Sequence, residues 1–261
     1  MKLLKNRRRD ELRAKAFPRE WERIVASNFP LYSRLPAKDR HELHGHIHVF
    51  LDEKQFEGCR EFEVTDEMRV TIAAQACLLL LHRETDYFPS TVTILLYATD
   101  FAVEEEVVED ESGWIVTEYA EDRAGESWEH GPVILSWEDV LAGASWEADG
   151  YNVVLHEFAH QLDLENGAVD GVPRLDDGRA YGEWEEAFAV AYNGLLTAVE
   201  AGRPTAIDEY AAEGPPEFFA VLTEAFFETP GVVIEHYPDV YDQLRNYFQQ
   251  DPMSWPEYAE A

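Results

Sequence analysis

Residues 152–163 read NVVLHEFAHQLD, and this stretch decides how the rest of the chain is read. Within it His156-Glu157-Phe158-Ala159-His160 has the form H-E-x-x-H. On a helix, positions four apart differ by only about 40° around the axis, so both imidazoles leave one face, a turn apart. That spacing lets two ring nitrogens reach one Zn²⁺ at about 2.0–2.1 Å. Glu157 projects beside the same face, where a carboxylate can take a proton from an activated water. Val153, Val154, Leu155, Phe158, Ala159 and Leu162 give the helix an apolar remainder, as expected of a helix buried beside a cleft.

A catalytic zinc site needs a third protein ligand and an open fourth position. The metzincin continuation would require Gly at 163 and His at 166, but Asp163 and Asn166 stand there, which excludes that class. A thermolysin-like continuation points instead to Glu183, Glu185 and Glu186, on an expected helix that reads better as a solvated face. The preferred third ligand is Glu217 in PPEFFAVLTEAFFETP, residues 215–230. Pro215 and Pro216 suit a helix start, and the phenylalanines around Glu217 bury it among apolar neighbours. A carboxylate in such surroundings needs a strong partner, and a metal ion is one. Glu224, two turns further on the same face, is placed to hold a ligand histidine from behind, and Asp163 has the same opportunity after His160.

Outward from this motif the pattern is helical, then β, then helical again. Helices are expected over about 39–52, 65–81, 152–164, 182–200, 215–228 and 238–250. Thr65 serves as an N-cap, and Pro18, Pro30 and Pro36 break the first 35 residues. β-branched and apolar runs predict strands at 91–98, 102–108, 114–119 and 132–137. The order describes one α+β domain over 1–261: an N-terminal helical part at about 10–85, a small central mixed sheet at about 90–137 and a catalytic helical part at about 150–252. HELHGHIH gathers His41, His44, His46 and His48, but no helical face collects all four, so a solvated helix is expected there. GPVILSW (131–137) offers a sheet edge for an extended peptide, with Trp128 and Trp137 beside it.

A net charge of −32 repels nucleic acid and anionic membrane surfaces, which removes both as partners. No run of about 18 apolar residues exists to span a bilayer, and the charged N-terminus lacks the apolar stretch of a secretory signal. Two cysteines, Cys59 and Cys77, suit a reducing compartment, so a cytoplasmic location is expected. All five lysines lie at or before Lys54, and so acidic a surface suits a saline habitat or simply a highly soluble protein.

NVVLHEFAHQLDLENGAVDGVP, IDEYA and PPEFFAVLTEAFFETP, with DEMRVTIAAQACLLLL and GPVILSWEDVL upstream, resemble the Mlc titration factor A family of bacterial zinc peptidases. The likeness covers about residues 20–252. It implies a zincin-like fold and a gluzincin-type site, related to the catalytic domain of anthrax lethal factor. One Zn²⁺ per chain would sit on His156, His160 and Glu217, with Glu157 as the catalytic carboxylate and Tyr210 of IDEYA supporting the transition state. It also implies aminopeptidase-type cleavage of small substrates, and binding of a glucose-responsive transcriptional repressor linked to sugar uptake. Three functions follow as expectations: peptide or protein hydrolysis, sequestration of a transcription factor by a protein whose zinc is not catalytic, and hydrolysis of a non-peptide amide.

Overall fold

Proline marks where the first helices begin. The computed structural model describes residues 2–99, 131–143 and 150–256. After α1 (Lys2–Arg13), Pro18, Pro30 and Pro36 stand immediately before α2 (Arg19–Asn28), α3 (Leu31–Arg34) and α4 (Ala37–Glu53). A residue with φ held near −65° and no N–H to satisfy costs nothing at a helix start, so these prolines initiate helices. β1 (Gln55–Gly58) follows, then α5 (Asp66–Leu78), β2 (Thr93–Tyr97), β3 (Val133–Ser136) and α6 (Trp137–Ala142). The remaining helices are α7 (Val153–Asp163), α8 (Gly178–Glu200), α9 (Pro215–Glu228), α10 (Pro230–His236) and α11 (Pro238–Phe248).

Among the described residues the architecture is mostly helical around three strands in the order β1-β2-β3, all parallel. The mixed sheet expected from sequence finds no antiparallel pair among them, and the expected strands at 102–108 and 114–119, like Trp128, lie outside them. β1 was not anticipated, because QFEG is short and mostly exposed and has no apolar alternation. Ile94 and Leu96 of β2 point into the core, in register with Val133 and Leu135 of β3.

α5 is the central post. Thr65 caps it by accepting from the Met68 N–H, and nearly every residue from Met68 to Leu78 is buried against α2, α4 and α7. Substituting such a cap with Ala typically costs about 1 kcal/mol. α9 is equally immersed, with Phe218, Phe219, Phe226 and Phe227 all buried. Its long contact with α7 fixes the geometry of the candidate site. Glu183, Glu185 and Glu186 of α8 are exposed, as the sequence suggested.

The expectation for α4 fails. α4 is not a solvated histidine helix: His46 and His48 are buried, and His44 stacks on Phe17 with ring centroids 3.8 Å apart. The packing of α1 on α4, with Phe17 and Trp21 against His44 and His48, covers a face that the sequence pattern, with its alternating His and apolar residues, leaves ambiguous.

Candidate metal centre

α7 is capped by Asn152, whose side chain accepts from the Leu155 N–H and so satisfies an otherwise orphaned helix donor. The same residue donates its backbone N–H to Glu224 and its amide Nδ2 to Glu228 Oε1 (3.2 Å) and the Gly143 carbonyl (3.1 Å). The cap of α7 is therefore pinned to two acids of α9. One turn further along, His156 and His160 face Glu217, from the first turn of α9.

The three donor atoms converge. Glu217 Oε2 lies 3.0 Å from His156 Nε2 and 3.4 Å from His160 Nε2, and the two imidazole nitrogens are 3.2 Å apart. These three residues form a group able to hold a metal ion. Behind them Glu224 Oε1 lies 2.8 Å from His156 Nδ1, so both nitrogens of that ring meet carboxylates seven residues apart on α9. Glu224 is 2 % exposed. This is the outer-carboxylate arrangement that orients a metal-binding histidine.

Electrostatics make the same point. Burial works against charge on His156, yet hydrogen bonds to Glu217 and Glu224 override it and push its pKa up to about 10. Burial acts against ionised Glu217 too, but His156 and His160 hold it well below the usual carboxylate range. Burial raises Glu224 and Glu157, the latter opposed by His156 and His160. Two carboxylates and two imidazoles held this close require positive charge among them. In the metal-free chain that charge is a proton on His156, and a divalent cation on the same donors meets the requirement better. The donor set of two imidazoles and a carboxylate is that of the thermolysin-type zinc site, so the residues present fit the metal.

Glu157 follows His156 on the helix and keeps partial exposure to solvent. Tyr210 sits on a short 3-10 turn, Glu209–Ala212, capped by Asp208, which accepts from the Tyr210 N–H. Its ring centroid is 6.0 Å from that of His156, and the residue is 46 % exposed. Burial and the carboxylates of Glu217, Glu213 and Glu157 push its pKa to about 12, so at neutral pH it is a hydrogen-bond donor.

Asp163 does not do for His160 what Glu224 does for His156. Its Oδ2 accepts from the Gly171 N–H at 2.8 Å, while its Oδ1 and His160 Nδ1 have no hydrogen-bond partner among the described residues. Burial pushes the pKa of Asp163 up to about 6. Its place is in an anchor for the segment between α7 and α8. Gly171 has φ +77°, its carbonyl accepts from Trp184 Nε1 (3.1 Å), and a Cβ there would lie 2.4 Å from the Pro215 carbonyl oxygen. Only glycine lets this segment press against the start of α9, two residues before Glu217. Sequence reasoning missed Glu228 and Gly171. Their signals were a third acid on the α9 face, four residues past Glu224, and a DG pair of the kind that marks a tight turn.

Two histidines one turn apart on one helix and a glutamate from the start of another define the site of an H-E-x-x-H metallopeptidase class. Comparison with known proteins agrees: residues 3–249 match the model of the glucose-regulated metallo-peptidase M90 family. The Mlc titration factor A of Klebsiella pneumoniae is 32% identical over 237 residues, 90% of this chain and 87% of the relative. That of an Escherichia coli strain is 32% identical over 237 residues, with 90% and 88% covered. The uncharacterized protein slr2042 of Synechocystis is 40% identical over 247 residues, 94% of this chain and 89% of that protein. The chain belongs to the M90 family of glucose-regulated metallopeptidases, the family of Mlc titration factor A. Among the described residues no helix is long and apolar enough to cross a membrane.

Proposed function

We propose that the chain is a cytoplasmic zinc peptidase with aminopeptidase-like specificity, built as a single domain over residues 1–261. The observation that carries this reading is the convergence of His156, His160 and Glu217, with Glu224 behind His156. One Zn²⁺ would be held by those three residues and, when bound, supplies a Lewis acid that polarises a carbonyl and acidifies water. Glu157 takes a proton from the attacking water and passes it to the departing amine. Tyr210 donates its phenolic hydrogen to the developing oxyanion, the kind of contact that typically contributes about 2.7–4 kcal/mol in such sites. Glu224 fixes the ring of His156, and the peptide lies along β3, the last strand in the described sheet order.

One core supports the single-domain reading. Buried residues from Leu12 of α1 to Trp255 belong to the same hydrophobic cluster, including residues of the sheet and of α7 and α9. The test is a panel of amino-acid anilides and short peptides, run on zinc-loaded protein, on chelated protein and on Glu157→Gln. Cleavage that needs zinc and Glu157 supports the reading. A zinc-loaded wild type inert towards every substrate overturns it.

The names of the relatives favour a second reading, in which this chain also titrates an Mlc-type repressor. Capture of such a repressor by Glu157→Gln as tightly as by the wild type would separate binding from hydrolysis.

A further inference from the structure

We propose that Asp39, Glu42, His46 and His82 form a second divalent-cation site, of the zinc or manganese type, distinct from the one on α7. Asp39, Glu42 and His46 are three and seven residues apart on α4, so they share one face of the helix. His82 arrives from the turn that follows α5, with φ +64°. An oxygen of each carboxylate and a ring nitrogen of His82 lie within 4.8 Å of one another. His82 Nε2 is 3.3 Å from Asp39 Oδ1, its Nδ1 is 3.2 Å from Glu42 Oε2, and its backbone N–H donates to Glu42 Oε1 at 2.8 Å.

Acids around a histidine do not by themselves make a site. The second observation is His46. It is 4 % exposed, and its Nε2 has no hydrogen-bond partner among the described residues although it lies 3.5 Å from Glu42 Oε1. Its other nitrogen, Nδ1, is 2.7 Å from the hydroxyl of buried Tyr87. Arg13 Nη1 donates to that hydroxyl at 3.2 Å, and the oxygen has a further lone pair for the His46 Nδ1–H. The tautomer in which Nδ1 donates leaves the bare lone pair of Nε2 facing a carboxylate, whereas the one in which Tyr87 donates sets Nε2–H towards Glu42. In the first, a buried acceptor faces the carboxylate of half-buried Glu42, which is costly unless positive charge stands between them. A cation on Nε2 and Glu42 removes the conflict, and a histidine that donates its outer N–H while ligating through the other nitrogen is the usual arrangement.

Two imidazoles and two carboxylates suit zinc or manganese, whereas an all-oxygen shell would suit calcium or magnesium. With both imidazoles neutral, the carboxylates carry the two negative charges that a divalent cation balances. Asp39, Glu42 and His82 converge, and His46 beside Glu42 is the fourth protein donor of the proposed site; four make a closed site, the mark of a structural centre. Its effect is to clamp α4 to the turn after α5 and, through Tyr87 and Arg13, to α1.

The test uses the full chain carrying His156→Ala and His160→Ala, which strips both imidazoles from the α7 site. After chelation and dialysis into buffer of physiological ionic strength, Zn²⁺ and Mn²⁺ are titrated by calorimetry and the melting temperature is followed. The expected result is one equivalent bound and a Tm that rises with the metal. Adding His82→Gln or, in a separate chain, Asp39→Asn lowers that affinity at least tenfold, with far-UV dichroism reporting the fold. Two outcomes overturn the proposal: no metal bound by the α7-deficient chain, or binding that neither added substitution changes, which is diffuse attraction to an acidic surface. Loss of peptidase activity has no part in the readout, so the two sites stand or fall separately.

Discussion

α7 and α4 both set imidazoles among carboxylates at helical spacing, yet they assemble the groups differently. On α7 the two histidines meet acids from a second helix, and a buried carboxylate, Glu224, braces His156. On α4 one helix supplies two acids and one imidazole, a turn supplies the other, and a neutral phenol, Tyr87, braces His46. Splitting the donors between two helices brings three together, with Glu157 next to His156 and the Tyr210 ring 6.0 Å from it. Taking them from one face and an overlying turn brings three together as well, and the site proposed there adds His46 as a fourth. On the two proposals made above, the same residue types serve a reactive centre in one place and a clasp in the other, and the difference lies in which elements carry them.

The sharpest way to test the contrast is Glu157→Gln. Peptide hydrolysis should fall by about a hundredfold to ten-thousandfold, the usual worth of a general base. Metal content by elemental analysis should stay that of the wild type, because Glu157 is not among the converging donors. Next is Glu224→Gln, which should weaken metal binding at α7 by about 10- to 100-fold in a chelator competition while leaving α4 untouched. If affinity stays unchanged, the brace is only packing.

Gly171→Ala addresses the support of Glu217. The added Cβ has no room beside the Pro215 carbonyl, and φ +77° disfavours it further. Urea unfolding should show a loss of about 1–3 kcal/mol, with weaker metal binding because the start of α9 shifts. Acidity offers a gentler probe. With the pKa of His156 near 10 in the metal-free chain, metal must displace a proton at every lower pH. Affinity at α7 should therefore rise about tenfold per pH unit from 6.5 to 8.5, since one proton is exchanged per ion. A flat profile would mean that His156 is already neutral. The smallest effect belongs to Tyr87→Phe, which removes one neutral hydrogen bond from His46, about 1 kcal/mol or about fivefold in metal affinity at α4.

The two regions also differ in how legible they were. H-E-x-x-H at 156–160 carries its geometry in its spacing, and α9 announced Glu217 and Glu224 as acids on an apolar helix whose ends fall where the sequence placed them. The capped start of α5 and the strands at 93–97 and 133–136 were readable for similar local reasons. α4 misled because four close histidines compete for attention, while the partners that matter are two acids and a residue 36 positions further on than His46. His46 is buried beside Tyr87 and His48 beside Phe17 and Trp21, tertiary contacts with no local signature. β1 exists because β2 offers it an edge, and its own four residues do not demand it.

Glu217, Glu224 and Glu228 are threaded on a single screw, all turned towards the neighbouring helix. Removing one residue between the first and second would rotate everything beyond it by about 100° and slide it about 1.5 Å. Glu217 would then still face His156 and His160 while Glu224 swung away from His156. Length changes in this chain are therefore tolerable in the connections and ruinous inside residues 217–228, where the centre keeps its ruler.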